Sequence, residues 1–396
     1  MQDFPKLISV DDHVIEHANV WQDRLPAKYK DVGPRVVQER GHMEFVGGVF
    51  SYEPGDDGEL CDWWVYEDKK IPQTRLSAAA GFDRDEVKVV GITYEEMRKG
   101  CWDPTARLAD MDMNHTEAQM CFPSFPRFCG QTFKEAQDME LADLCVKAYN
   151  DWMVEEWCGG TNGRLIPLII IQLWDPVLAA AEIRRNAARG VRATCFSEIP
   201  AYLDLPSIHT DHWRPFIEAC AETDTVINMH IGSSSRMPST STDAPAAVGS
   251  TLTFGNAMSS MTDWLFSGWL AEFPNLKLAY SEGQIGWIPY ILERADKVWE
   301  ENRAWGGFGD KVPEAPSTYY YRQIYGCFFD DEYGLENIEK CGVNNICFET
   351  DYPHSDSTWP HSKDTAIKLM GNLPDDVIHK LVRGNAIEML GLEFDR

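Results

Sequence analysis

KLISVDDH, residues 6–13, is an apolar run that ends in two acids and an imidazole. On a strand, alternation sends Asp11 and His13 to one face and Asp12 to the other, so the D-x-H spacing delivers two donors to one point. A turn-forming aspartate pair beside a hydrogen-bonded histidine fits the same eight residues. The ending recurs, however, in VRATCFSE (191–198) with Glu198, TVINMHI (225–231) with His230, LKLAYSE (276–282) with Glu282 and NICFETD (345–351) with Asp351. Strand ends ordinarily take Gly, Asn or Ser, and packing gives no reason to finish strand after strand with an acid or imidazole. A barrel rim does, because it gathers distant residues around one small space.

Three further apolar runs, 117–123, 165–173 and 324–330, bring the strand candidates to eight. Between them lie helical patterns at 134–157, 176–188, 211–222, 255–271, 285–303, 333–340 and 361–370, and a last one at 374–391 opens with Pro374 and two aspartates. This alternation predicts an α/β chain forming a (β/α)8 TIM-type barrel, one metal-dependent domain over residues 1–396. Residues 17–110 break the rhythm. Their Gly, Pro and Trp content and the alternation in GHMEFVGGVFSYE (41–53) and CDWWVYEDKKI (61–71) predict a β-containing insertion after the first strand. Following a strand's carboxyl end, it is expected over the active face, where Trp63, Trp64 and Trp102 either roof a pocket or form the insertion's own core.

Composition narrows the function classes. Against 36 Lys+Arg the chain has 63 Asp+Glu, a net charge of -27, which repels polyanions and anionic membranes. Neither nucleic acid nor membrane is expected as a partner; a small-molecule substrate and self-association into a homo-oligomer are. The eleven cysteines show no CxxC pairs, and several, such as Cys121, Cys195 and Cys347, sit in apolar runs, the pattern of a reduced, cytoplasmic protein. Residues 1–20 show no signal pattern, and no apolar stretch of eighteen residues occurs.

Each candidate donor has a chemistry and a plainer alternative. His230 ends a buried run before the loop IGSSS, suiting a neutral imidazole ligand or a satisfied core histidine. Asp351 precedes Tyr352-Pro353, where proline stops further pairing, and a carboxylate there can bind metal and accept a proton. Glu198 bridges two ions or hydrogen-bonds the loop that follows. His209, His212 and His354 form a second tier of substrate-binding candidates with Trp64, and Glu16 and His17 are similar; capping or surface roles are the plainer alternative for His209, His212, Glu16 and His17.

DDHVIE (11–16), HIGSS (230–234) and ETDYPHSDSTWP (349–360), together with RLADMD (107–112), SEGQIGWIP (281–289) and GNA (384–386), resemble the amidohydrolase superfamily, specifically its amidohydrolase-2 branch, which includes decarboxylases related to aminocarboxymuconate-semialdehyde decarboxylase. The resemblance covers nearly the whole chain. It implies a (β/α)8 barrel with a mono- or dinuclear metal centre. Members commonly carry H-x-H on the first strand, histidines on the fifth and sixth and aspartate on the eighth. Here Asp11 replaces the first histidine, His13, His230 and Asp351 match, Glu282 stands where a histidine is usual, and Glu198 stands where dinuclear members place a bridging group. So carboxylate-rich a set suits one or two divalent ions, Mn or Fe more than Zn.

The expected activity is hydrolysis of an amide, ester or thioester-like bond. A divalent ion lowers the pKa of bound water from about 15.7 to ~7, and Asp351 and His230 serve as the catalytic residues, Asp351 shuttling the proton. The alternative is metal-dependent non-oxidative decarboxylation. More remote are an oxygen-activating dinuclear Fe/Mn enzyme and a non-catalytic partner subunit.

Overall fold

The computed structural model describes residues 4–46 and 49–394. β1 (Leu7–Val14) is buried at every position, as a parallel strand covered on both faces must be. An antiparallel sheet follows, built from β2 (Arg35–Val46), β3 (Val49–Pro54), β4 (Glu59–Tyr66) and β5 (Lys69–Pro72) in the order β3-β2-β4-β5. Both ribbons expected from alternation are therefore present, although residues 47–48 of the first lie outside the described residues.

Parallel pairing then resumes with β6 (Thr116–Pro123), β7 (Leu165–Ile166), β8 (Leu168–Ile169), β9 (Ala193–Phe196), β10 (Val226–His230), β11 (Leu278–Ser281), β12 (Ile324–Phe328) and β13 (Ile346–Phe348). One sheet runs β1-β6-β7 and the other β13-β12-β11-β10-β9-β8, each parallel throughout. Pro167 divides β7 from β8, since proline has no N–H to give the ladder. All eight expected strands thus fall where the apolar runs placed them. Beyond β13 the chain turns back toward β1: Asp351 N donates to Asp11 O at 3.0 Å and His13 N to Tyr352 O at 2.7 Å.

Helices connect the parallel strands. Asp175 accepts from Val177 N and Leu178 N at 2.8 and 3.1 Å to start Pro176–Ala187. Gly268, at φ 92°, splits the expected 255–271 helix into Gly255–Ser267 and Trp269–Glu272. The helix Pro104–Met113, capped by Asp103, begins inside the stretch 17–110 read as insertion. Among the described residues no helix is long and apolar enough to cross a membrane.

One large core runs through the parallel strands and their helices. A second cluster of Ile15, Ala78, Ile92, Met97 and Cys101, with Phe82, Tyr94 and Trp102 against it, belongs mainly to residues 75–103. That segment is pinned to the turn after β13, where Ala79 N donates to Pro353 O at 2.8 Å and Ser355 N to Leu76 O at 3.0 Å.

Candidate metal centre

Strand alternation does in β1 what the spacing implies. Asp12, on the opposite face from its neighbours, accepts from Thr350 Oγ1 at 2.5 Å and Tyr352 N at 2.8 Å, so it grips the chain on both sides of Asp351. Beside it the buried Arg107 donates to His13 O at 2.5 Å and to Gly100 O at 2.7 Å, its guanidinium 4.3 Å from the Tyr352 ring centre. These bonds fix the backbone that presents His13 and Asp351.

The donors converge from four strand ends. His13 Nε2 lies 3.6 Å from Asp11 Oδ1, 3.2 Å from Asp351 Oδ1 and 3.3 Å from His230 Nε2. His230 Nε2 is in turn 3.3 Å from Asp11 Oδ2 and 3.4 Å from Glu282 Oε2. His230 Nδ1 is 2.6 Å from Ile231 O; donating there leaves Nε2 free to present a lone pair to the cluster. Glu282 and Asp351 both sit at left-handed φ, 50° and 52°. A non-glycine residue in that region is strained, and such strain collects at functional sites where it re-aims a side chain.

Electrostatically the cluster is unsatisfied. Burial, reinforced by Glu349, Glu282 and Asp351, pushes the Asp11 carboxyl well up, and burial with Asp351 and Glu349 does the same to Glu282. Burial lowers His230 to about 3 and holds His13 well down, so both imidazoles are neutral. Asp351 is the exception: burial pushes it upward, but the imidazoles of His354 and His13 outweigh that and hold it below the usual carboxylate range. Both oxygens of Asp11 and of Asp351, and His13 Nδ1, are buried without a hydrogen-bond partner. The Nε2 atoms of His13 and His230 and the carboxylates of Asp11, Glu282 and Asp351 therefore crowd one point.

A divalent cation fits that point. Metal–donor bonds of about 2.1 Å place neighbouring donor atoms about 3–3.5 Å apart, the spacing seen here. Ligation requires neutral imidazoles, which burial already favours at His13 and His230, and a cation would draw the raised carboxyls of Asp11 and Glu282 to their ionised form. Asp11, His13 and His230 form one tight donor group and His13, Asp351 and His354 another. His354, whose ring stacks on His13 at 3.6 Å, places Nδ1 3.0 Å from Asp351 Oδ1.

Above the donors opens a cavity of about 470 Å³ with Glu282, Asp351 and His354 in its lining. Phe128, Phe254, Phe329 and Met237 supply apolar wall, and Leu76 and Ser77 reach it from the segment after β5. Phe128 also stacks on His230 at 4.2 Å.

The other sequence candidates lie elsewhere. Glu198 is buried beyond β9 with both carboxylate oxygens unpartnered, its carboxyl pushed to about 8 by burial, but it falls outside both donor groups. His209 pairs with Asp263 at 3.1 Å in a separate cleft with Arg214 and Trp269. His212 meets Trp213 edge-on at 4.9 Å and is not in the cavity wall. Trp64, read as a substrate contact, is a core residue only 3% exposed, edge-on to Trp21 at 5.1 Å, because its strand alternation points it at the main core. Trp63 is buried beside Tyr52, and Trp102 belongs to the second cluster. Glu16 accepts from Ser124 N and Phe125 N, each at 2.9 Å, tying the end of β1 to that of β6, while His17 is exposed. Sequence reasoning missed Glu349. It is fully buried, accepts from Glu282 N at 3.2 Å, and its E-x-D spacing to Asp351 repeats the D-x-H logic of β1.

The amidohydrolase pattern (Amidohydro_2) matches residues 16–392. The chain belongs to that family. Among solved structures this amidohydrolase is similar to an amidohydrolase from Mycobacterium avium subsp. paratuberculosis K-10, with 20% identity, coverage of 98% of this chain and 99% of the other, and a TM-score of 0.71. It is similar to 2,6-dihydroxybenzoate decarboxylase complexed with 2,6-dihydroxybenzoate, at 16% identity, 98% and 100% coverage and a TM-score of 0.63. A third is dihydroxybenzoic acid decarboxylase from Polaromonas sp. JS666 with bound manganese and the inhibitor 2-nitroresorcinol, at 20% identity, 81% and 94% coverage and a TM-score of 0.62. At these identities the similarity is one of fold.

Proposed function

We propose that this amidohydrolase is a metal-dependent, non-oxidative decarboxylase of a small aromatic acid, built on a (β/α)8 barrel. The strand order and the two backbone bonds joining the turn after β13 to β1 support the barrel. The observation that carries the activity is the cavity: three phenylalanine walls stand over a floor of Glu282, Asp351 and His354, in a volume suited to one substituted ring. The decarboxylases of similar fold favour this reading over hydrolysis, which the sequence put first.

Asp11, His13, His230, Glu282 and Asp351 are the residues that would hold one divalent ion, and their oxygen-rich set suits Mn or Fe. Glu198 lies outside both donor groups, so one ion is the count proposed, with the buried, unpartnered Glu198 carboxyl beside that site. When bound, the ion supplies positive charge that anchors the substrate carboxylate and an adjacent hydroxyl. Phe128, held against His230, presses on the ring face. The Asp351–His354 pair carries the proton: His354 is 20% exposed and so connects the buried Asp351 to solvent. The carbon–carboxylate bond breaks, its electron pair stays on the ring carbon, that carbon takes the proton, and carbon dioxide leaves. Leu76 and Ser77 support the reading of the insertion as a roof.

Manganese-loaded protein is to be incubated with a panel of hydroxybenzoates and, in parallel, with aryl esters, lactones and amides. Carbon dioxide and decarboxylated arene in equal amounts are expected. Ester, lactone or amide cleavage with no carbon dioxide from any acid would return the assignment to hydrolysis.

A further inference from the structure

The cavity over the donor cluster is lined by three carboxylates, with the His354 imidazole as its one basic side chain among the described lining residues. Among the described residues that line it, none is Arg or Lys, whereas Glu282, Asp351 and Asp356 all contribute carboxylates. Three arginines lie next to lining residues in sequence, and each is turned elsewhere. Arg75 stacks on Phe82 at 4.6 Å and donates to Glu86 O at 3.1 Å. Arg127 donates to Glu135 Oε1 at 2.6 Å and Ser235 Oγ at 3.0 Å. Arg236 lies 4.8 Å over Tyr202, in a neighbouring pocket.

Resting on the decarboxylase reading, we propose that the substrate carries a single carboxylate and otherwise neutral ring substituents, and that Asp356 at the cavity mouth excludes acids with a second one. A first carboxylate meets the ion. A second, elsewhere on the ring, meets phenylalanine walls or the Asp356 carboxylate, and a charge left unpaired in a partly buried site is costly. Neutral hydroxyls have partners in Ser77, Ser250, Thr253 and Ser355. Asp356 is exposed, so its replacement leaves the fold untouched.

The test is a binding titration, by calorimetry, of manganese-loaded full-length protein and its Asp356→Asn variant. The two probes are 2-hydroxybenzoate and 4-hydroxyisophthalate, which adds one carboxylate to the same ring. The monoacid should bind at least roughly tenfold more tightly, and Asp356→Asn should shrink that gap by roughly threefold or more while changing monoacid affinity by less than about twofold. Equal or tighter diacid binding, or a gap that survives Asp356→Asn, overturns the proposal. Carbon dioxide release is measured on the same samples: the binding order without any release sinks the decarboxylase reading and leaves the charge rule standing. Failure of both acids to bind overturns both.

Discussion

In the antiparallel sheet β2–β5, Lys70 pairs with Glu39, and Asp62 Oδ2 accepts from Tyr94 N at 2.7 Å. At the ends of β1, β10, β11 and β13, by contrast, Asp11 and Asp351 leave both oxygens buried and unpartnered, beside the neutral imidazoles of His13 and His230. A buried acid without a hydrogen bond destabilises a fold, so a cluster of them persists only where something else compensates. The first sheet is built for stability and the second set of strand ends for a ligand. Satisfied bonds sit one layer back, in Asp12 and Arg107, where they hold the unsatisfied groups in place.

The sharpest way to break this contrast is at Asp351. Asp351→Asn should keep the fold, read by circular dichroism, and lower turnover by on the order of 10²–10⁴-fold. A variant of near wild-type activity would remove Asp351 from the chemistry.

Trp64 tests the other side of the comparison. Trp64→Ala should cost about 3–5 kcal/mol of stability, because it empties a packed site against Trp21 and Phe125. The surviving folded fraction should show ordinary substrate affinity. Weakened substrate binding with unchanged stability would restore Trp64 to the pocket.

A smaller effect distinguishes metal-free from metal-loaded protein by pH. Burial raises Asp12 and Glu16 to about 7 and Glu198 to about 8, and pushes Asp11 and Glu282 upward as well. Acids with raised folded pKa values keep protons that the unfolded chain loses, so the metal-free fold loses stability as pH rises from about 4 to 8. A bound cation offsets only the part that comes from its own ligands, Asp11 and Glu282, by favouring their ionised carboxylates. The melting-temperature gap between the two forms should therefore widen by several degrees between pH 5 and pH 8. A gap that stays constant would mean the acids are not the ion's ligands.

Much of this was legible beforehand. Asp11, His13, His230, Glu282 and Asp351 each end an apolar run, and parallel strand geometry alone sends them to the same end of the sheets. Glu198 obeys the same rule yet stands apart, because a strand end fixes which rim a residue joins and not how far across it the side chain reaches. Trp64 illustrates another limit: period-2 alternation names the buried face of a ribbon without saying whether core or cavity lies beneath. Glu349 carries no such signal of its own, because it follows β13 directly and Asp351, two residues on, is turned by its left-handed φ. The closure of the 75–103 segment onto Pro353 and Ser355 depends on contacts that no local pattern encodes.

Cation binding by Asp11, His13, His230, Glu282 and Asp351 distinguishes a metal centre from a merely strained cluster of acids. Manganese titrated calorimetrically into chelator-stripped protein should bind saturably at one ion per chain, and His13→Ala should abolish that site while the chain stays folded. An absence of saturable binding, or a site undiminished in His13→Ala, would contradict it.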